Sequence, residues 1–299
     1  MITLRVLVLV ISFMGAFSFF PYKSQSLRMN TAHSLCMKIS IPKLLLSTSL
    51  IPLVLSLSYP QEIRAEQQVS FQMSSSATTT NGNIPVYFGV GCFWHVQHEF
   101  VQAEKNILGR SDEQLTSTAG YAGGTKLGKS NAPNSKALDT VCYHNFQGIA
   151  DYGKLGHGEV VGLQIPESSM LDFSTQYFSL FGSDLERPDK GDRGAEYRSL
   201  VGIPGGTSSP LYPSLERAAS QKGLKLVPGK GDDVDTLGKK IVWVMDSDKF
   251  SFHPAELYHQ FHDGFMPGES YPQSYNTLAK QAYDAGRLSF TGCPDTEPR

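Results

Sequence analysis

The chain has 299 residues, 40% of them apolar, which is enough to bury a core and excludes a disordered protein. Lys+Arg of 26 against Asp+Glu of 28 leave a formal net charge of -2, so there is no basic footprint for nucleic acid or acidic lipid. The 4 cysteines, Cys36, Cys92, Cys142 and Cys293, are too few and too scattered for a disulfide framework, and none forms a CxxC pair that would hold zinc. Catalytic or redox use, or plain packing, is what remains for them. No metal and no cofactor is expected.

Residues 1–27 follow signal-peptide grammar: Leu4 to Phe20 is almost wholly apolar, with Arg5 ahead and Gly15, Ala16 and Ser18 toward its end. Residues 28–66 continue as a targeting segment. Tyr22 to Lys43 is basic and Ser-rich with no Asp or Glu, the pattern of a transit peptide, and Ala16 to Pro21 suits the start of a bipartite plastid leader. The apolar run Leu44 to Leu57 is short for a membrane span, which needs roughly 20 residues, so it is taken as a second signal. The expected destination is a plastid, with the thylakoid lumen as the final compartment and the secretory pathway as the alternative. Residues 67–83, rich in Ser, Thr, Gln and Asn, form a linker.

Residues 84–299 are expected to form one domain. Pro85 to Val90 reads as a buried strand, and Trp94, Val96, Gln97, Phe100 and Val101 mark the helix after it. Cys92 falls at their junction. Glu159 to Ile165 is the next strand and Ser168 to Phe181 an amphipathic helix. Glu196 to Ile203 is a strand stopped by Pro204, Gly205 and Gly206, followed by a helix from Leu211 to Lys222. Lys240 to Met245 is a strand, and Pro254 to Phe261 a short helix with His259 on it. Interleaved strands and helices point to an α/β (α+β) protein, a two-layer sandwich of a mixed sheet with helices. The glycine-rich stretches Ala119 to Gly124 and Gly229 to Gly231 lack the spacing that cradles phosphate.

A thiol reacts as thiolate, and a helix N-terminus favours that charge, so Cys92 has the address of a nucleophile. Free cysteines also serve as small buried hydrophobes, and Phe93 and Trp94 beside it suit either a pocket for a small apolar group or ordinary core.

Five motifs occur in order: Gly91-Cys92-Phe93-Trp94; Ala119-Gly120-Tyr121-Ala122-Gly123-Gly124; Gly156-His157-Gly158-Glu159-Val160-Val161; Gly191-Asp192-Arg193-Gly194-Ala195-Glu196-Tyr197-Arg198-Ser199; and Ala255-Glu256-Leu257-Tyr258-His259-Gln260. Together they resemble the successive motifs of A-type peptide methionine sulfoxide reductases, over roughly Ile84 to Gln260. The resemblance implies thiol-dependent reduction of the S-epimer of methionine sulfoxide, in proteins or free, through a sulfenic acid on Cys92. It implies Tyr121, Tyr197 and Asp192 as the polar catalytic partners, with Phe93 and Trp94 holding the substrate methyl group. His157 and Glu159 would shape the site mouth. Cys293 would resolve the sulfenic acid from a flexible tail, Cys142 would pack, and thioredoxin or a similar reductant would regenerate a monomeric enzyme.

One departure matters. The family is expected to carry a proton-donating glutamate before a Val-Cys pair, and here Thr140 precedes Val141 and Cys142. Its loss implies a slow enzyme, or in the alternative a sulfoxide-binding protein with weak or no turnover. Gln97 and His95 also replace family residues on the first helix. A third reading is a Cys-His hydrolase using Cys92 with His95, His157 or His259, which would form an acyl-enzyme instead of a sulfenic acid.

Overall fold

The computed structural model describes residues 82–129, 139–263 and 270–298. The leader and transit segments, Cys36, and all of the linker but its last two residues lie outside them.

Strand β1, Asn83–Gly89, is the buried run expected from its sequence. Gly91 then turns the chain with φ +88, a left-handed conformation that glycine adopts without strain. Cys92 becomes the N-cap of helix α1, Phe93–Leu108, which ends at Gly109 in the left-handed conformation, its N–H donated to Glu104 O and Lys105 O. Strands β2 (Thr118–Ala122), β3 (Gly128–Lys129), β4 (Asp139–Thr140) and β5 (Gly158–Pro166) follow. Next come helix α2 (Met170–Ser179), β6 (Leu200–Ile203), α3 (Tyr212–Lys222), β7 (Lys225–Pro228), β8 (Ile241–Asp246) and β9 (His253–Pro254). Two short helices, α4 (Gln273–Asn276) and α5 (Leu278–Asp284), end the described chain.

Seven strands form one mixed sheet in the order β7-β8-β6-β1-β5-β2-β9, while β3 and β4 pair separately. β5 lies antiparallel to both β1 and β2, and β8 runs parallel to β6 and β7. Period-two alternation divides the faces. Val86, Phe88, Tyr121, Val161, Leu163 and Ile165 join the core that includes α1 to α3, whereas Tyr87, Val160, Leu200 and Met245 meet Phe250 and Phe252 on the other side. The result is a single α/β domain built on a mixed sheet, as the sequence predicts. Among the described residues no helix is long and apolar enough to cross a membrane.

Four local readings differ from the structure. Most of the glycine-rich stretch after Thr118 is strand β2, because Gly120 lets the edge strand β9 close in: a Cβ there would lie 2.4 Å from His253 O. The strand expected from Glu196 begins only at Leu200. Before it, buried Arg198 curls the chain into a 3-10 turn, donating to Ala195 O at 2.7 Å and Gly156 O at 2.9 Å. Strand β7 is an addition to the expected elements.

The helix expected at Pro254 to Phe261 is instead the short strand β9 and a 3-10 turn, Leu257–His259. Gln260 enforces this. Its side-chain amide pairs with both the N–H and the carbonyl of Ala119, at 3.0 and 2.9 Å, and so continues the edge of the sheet. Gln97 on α1 locks the same segment, donating to Gln260 Oε1 at 3.2 Å and accepting from Phe261 N at 2.6 Å.

Glu104 is the most heavily bonded buried carboxylate on α1. It accepts the N–H groups of Thr116 and Ser117, both of their hydroxyls, and Arg110. Glu104→Ala strands these donors and is expected to destabilise the domain by about 3–5 kcal/mol, the usual cost of breaking a buried charged network. Urea unfolding would check it; a loss under about 1 kcal/mol would mean that water replaces the carboxylate.

Candidate active site

The strand-turn-helix of β1 and α1 delivers Cys92, a half-buried free thiol, to the N-terminus of α1. From the neighbouring strand, Glu159 enters the same place. In the β2–β5 register Glu159 lies opposite Tyr121, on the helix-facing side of the sheet. Its carboxylate accepts the Phe93 N–H at 2.9 Å, one of the orphan donors at the start of α1, and the Tyr152 hydroxyl at 3.0 Å.

Burial decides the charge state of this pair. Burial pushes the Glu159 carboxyl up to about 8, against the two hydrogen bonds that favour its anion, and Asp192 and Glu196 add to the rise. Burial also pushes the Cys92 thiol well above its ordinary value, and Glu159 raises it further. The N–H groups of Trp94 and His95 pull it down by less. A thiolate stabilised by the helix terminus was the expectation; burial and the neighbouring carboxyl instead favour the neutral thiol, and burial favours the protonated form of Glu159. The helix dipole is outweighed by desolvation.

Asp192 and Tyr197 complete the polar side. Burial lifts Asp192 to about 6, with Asp189 raising it and Arg187 lowering it. Tyr197 is half-buried within hydrogen-bond reach of Tyr152, and burial and Glu159 both raise its hydroxyl. The apolar side is aromatic. Phe93, fully buried, packs against Tyr121, Tyr143 and His259. Trp94 is half-exposed, its indole donating to His259 Nδ1 at 3.2 Å and stacked on His262 at 3.8 Å. A groove of about 490 Å³, lined in part by Tyr143, His144, Tyr258 and His259, opens alongside.

Several expected site residues fall elsewhere. Tyr121 is fully buried, its ring against Phe93 and Tyr152, and its hydroxyl donates to Glu256 Oε2 at 2.8 Å. His157 is buried and braces the loop after β2. Its Nδ1 accepts Gly124 N–H at 3.3 Å, which leaves Nε2 as the donor to Lys126 O at 2.8 Å. Burial lowers its pKa to about 4, fitting a neutral ring. Thr140 lies beside Cys293, its Oγ1 3.6 Å from Cys293 Sγ, and not among the groups around Cys92. The carboxyl that the structure does bring to the start of α1 comes from another strand, in Glu159. Cys293, expected in a flexible tail as the partner of Cys92, is in a disulfide with Cys142, and Cys92 is free.

Other residues of the site were not singled out by the sequence. Tyr152 and Tyr143 come from the segment between Cys142 and Gly156, which carries no motif. Arg187 is buried and clamps the turn bearing Asp192 and Tyr197: it donates to both of their backbone carbonyls and to both carboxylate oxygens of Asp235, at 2.7 and 3.0 Å. Burial acts to raise Asp235, but Arg187 and the N–H groups of Gly194 and Leu237 hold it at about 2. A lone Arg in a charged loop gives no sequence signal for this.

Because ionised Glu159 opposes ionisation of Cys92, Glu159→Gln is expected to speed alkylation of Cys92 by iodoacetamide at pH 9. The gain should be about tenfold, for roughly one unit of thiol pKa. It should shrink below pH 8, where Glu159 is protonated in the native chain. Equal rates at pH 9 would mean that the carboxylate and thiol are not coupled.

No family model matches the chain, and no curated protein matches it. Among solved structures, the chain is similar to methionine sulfoxide reductase A of Corynebacterium diphtheriae, at 14% identity and a TM-score of 0.37, over 64% of this chain and 85% of that one. It is also similar to Mxr1 from Saccharomyces cerevisiae in its reduced form, at 17% identity and a TM-score of 0.38, over 64% of this chain and 92% of that one. The unusual oxidized form of the same yeast protein aligns at 17% identity and a TM-score of 0.31, over 64% and 89% of the two chains.

Proposed function

We propose that the protein reduces methionine sulfoxide, of the S-epimer as its motifs imply, with Cys92 as the oxygen acceptor and Glu159 as the proton donor. The observation that carries this reading is the pairing of a free thiol and a buried carboxyl, whose proton burial favours, at one helix N-terminus. A sulfoxide needs both: its sulfur must be attacked, and its oxygen must be protonated as negative charge gathers on it. Glu159 and Tyr197 are placed to bind that oxygen, while Trp94 offers a partly open aromatic face to the methyl group.

In the net step the sulfoxide S–O bond breaks and a bond forms between that oxygen and Cys92 Sγ. Glu159 gives its proton to the oxygen and recovers one from the thiol. The sulfoxide sulfur gains two electrons and Sγ loses two, leaving methionine and a cysteine sulfenic acid.

The disulfide suggests how the thiol returns. Attack by Cys142 on the sulfenic sulfur releases water and joins Cys92 to Cys142; attack by Cys293 on Cys142 then frees Cys92. The outcome is the arrangement present here, a free Cys92 with Cys142 and Cys293 paired. Tyr143, the neighbour of Cys142, lies 6.5 Å ring to ring from Phe93, the neighbour of Cys92, so the two segments adjoin. A dithiol protein such as thioredoxin would reduce the pair.

The test is turnover of both epimers of a methionine sulfoxide peptide by residues 84–299, with dithiothreitol as reductant. Loss of the S-epimer alone is expected, abolished by Cys92→Ser and slowed about 10²- to 10⁴-fold by Glu159→Gln, the range for a lost general acid. The rate should fall as pH rises through about 8, where Glu159 loses its proton. A folded chain that turns over neither epimer would refute the reading.

A further inference from the structure

A second buried carboxyl lies at the disulfide. Both sulfurs, of Cys142 and Cys293, and a carboxylate oxygen of Glu256 lie within 4.8 Å of one another. All three residues are buried, Cys142 completely and Cys293 at 5% exposure. The carboxylate is held in place on each side: Oε2 accepts the Tyr121 hydroxyl at 2.8 Å and Oε1 accepts the Tyr143 N–H at 2.8 Å. Cys293 Sγ is also 3.6 Å from the Thr140 hydroxyl and 3.4 Å from Val141 O.

Reducing such a disulfide creates a difficulty. An incoming thiolate reaches the less covered Cys293 sulfur and expels Cys142 as a thiolate in a fully buried position. Around the pair lie the Glu256 carboxyl, the Tyr121 hydroxyl that donates to it and the Thr140 hydroxyl, while His144, Tyr258, His259 and Asp295 line the same groove as Glu256, and Arg287 lines the pocket beside Thr140. An unpaired thiolate there has no solvation, so a proton must arrive as the S–S bond breaks.

We propose that Glu256 is the proton-transfer group of the Cys142–Cys293 couple, giving its proton to the departing Cys142 sulfur on reduction and taking one back on reoxidation. With a dithiol reductant, its thiolate bonds to Cys293 Sγ while the Cys142–Cys293 bond breaks and Cys142 Sγ takes the Glu256 proton. The second thiol of the reductant then attacks the mixed disulfide, closes the reductant's own disulfide and releases Cys293, which takes that thiol's proton. Glu256 regains its proton from the one released when the first thiol ionised. Two electrons pass from reductant to protein, and every proton is accounted for. Burial and the nearby Asp295 both raise the Glu256 carboxyl above its ordinary value, while its hydrogen bonds from Tyr143 and Tyr121 act the other way.

This rests on the reading above that the disulfide turns over, and the test separates the two. The oxidised full chain is treated with dithiothreitol between pH 6 and 9, with no sulfoxide present. The thiols of Cys142 and Cys293 are counted by alkylation and mass spectrometry. Glu256→Gln is expected to slow reduction about tenfold at pH 6, less than a usual general-acid gain because a thiolate is already a fair leaving group. The ratio of native to variant rates should approach one as pH rises and Glu256 ionises, and Glu256→Asp should recover part of the rate. Equal rates, or a ratio that does not change with pH, would overturn the role of Glu256. A native disulfide that resists dithiothreitol until urea unfolds the chain would overturn the recycling scheme itself.

Discussion

The interaction on which the site depends is the hydrogen bond from the Phe93 N–H to the Glu159 carboxylate, 2.9 Å long, joining the start of α1 to the interior strand β5. A helix N-terminus offers unpaired N–H groups and positive potential, enough to favour one negative charge. Here two acids compete for it. Cys92 stands at the N-cap and Glu159 reaches the same turn from the sheet, and both are substantially removed from water. Desolvation exceeds what the helix end can return, so burial favours the protonated form of both groups. That condition suits a substrate bearing a polar oxygen that becomes basic only as its sulfur is attacked.

The supports of this pair come from distant parts of the chain. Arg187 and Asp235 fix the turn that carries Asp192 and Tyr197; Gln97 and Gln260 bind α1 to the sheet edge; and Asp295 accepts the N–H groups of Leu257 and Tyr258, anchoring the turn whose His259 holds Trp94. The disulfide joins the same tail to the segment just before Tyr143. The Cys142–Cys293 pair is thereby joined through packed neighbours to the aromatic wall beside Cys92.

Much of this was legible in the sequence where a residue's role follows from its local setting. The apolar run of β1, the turn at Gly91 and the periodicity of α1 place Cys92 at a helix start by spacing alone. The motifs likewise mark Glu159, Asp192, Tyr197 and Glu256 as positions of interest. What spacing does not convey is which way a side chain faces across a sheet. Glu159 and Tyr121 sit opposite one another, yet Glu159 turns to the helix terminus and Tyr121 to Glu256. Nearness to Cys142 in sequence singles out Thr140, whereas strand register decides which carboxyl stands at the start of α1, and that is Glu159. Tyr152 and Arg187 act through hydrogen bonds between segments with no shared periodicity, which leave no local pattern. The pairing of Cys142 with Cys293, 151 residues apart, is of the same kind.

The central claim is that an oxygen atom passes from a sulfoxide sulfur to Cys92. The most direct measurement mixes a Cys142→Ser, Cys293→Ser variant with one equivalent of a methionine sulfoxide peptide, in the presence of dimedone and no reductant, and maps the adduct by mass spectrometry. The account requires a sulfenic-acid adduct on Cys92 and an equal yield of the methionine peptide. Loss of sulfoxide without an adduct at Cys92, or an unmodified Cys92 with the sulfoxide intact, would contradict it.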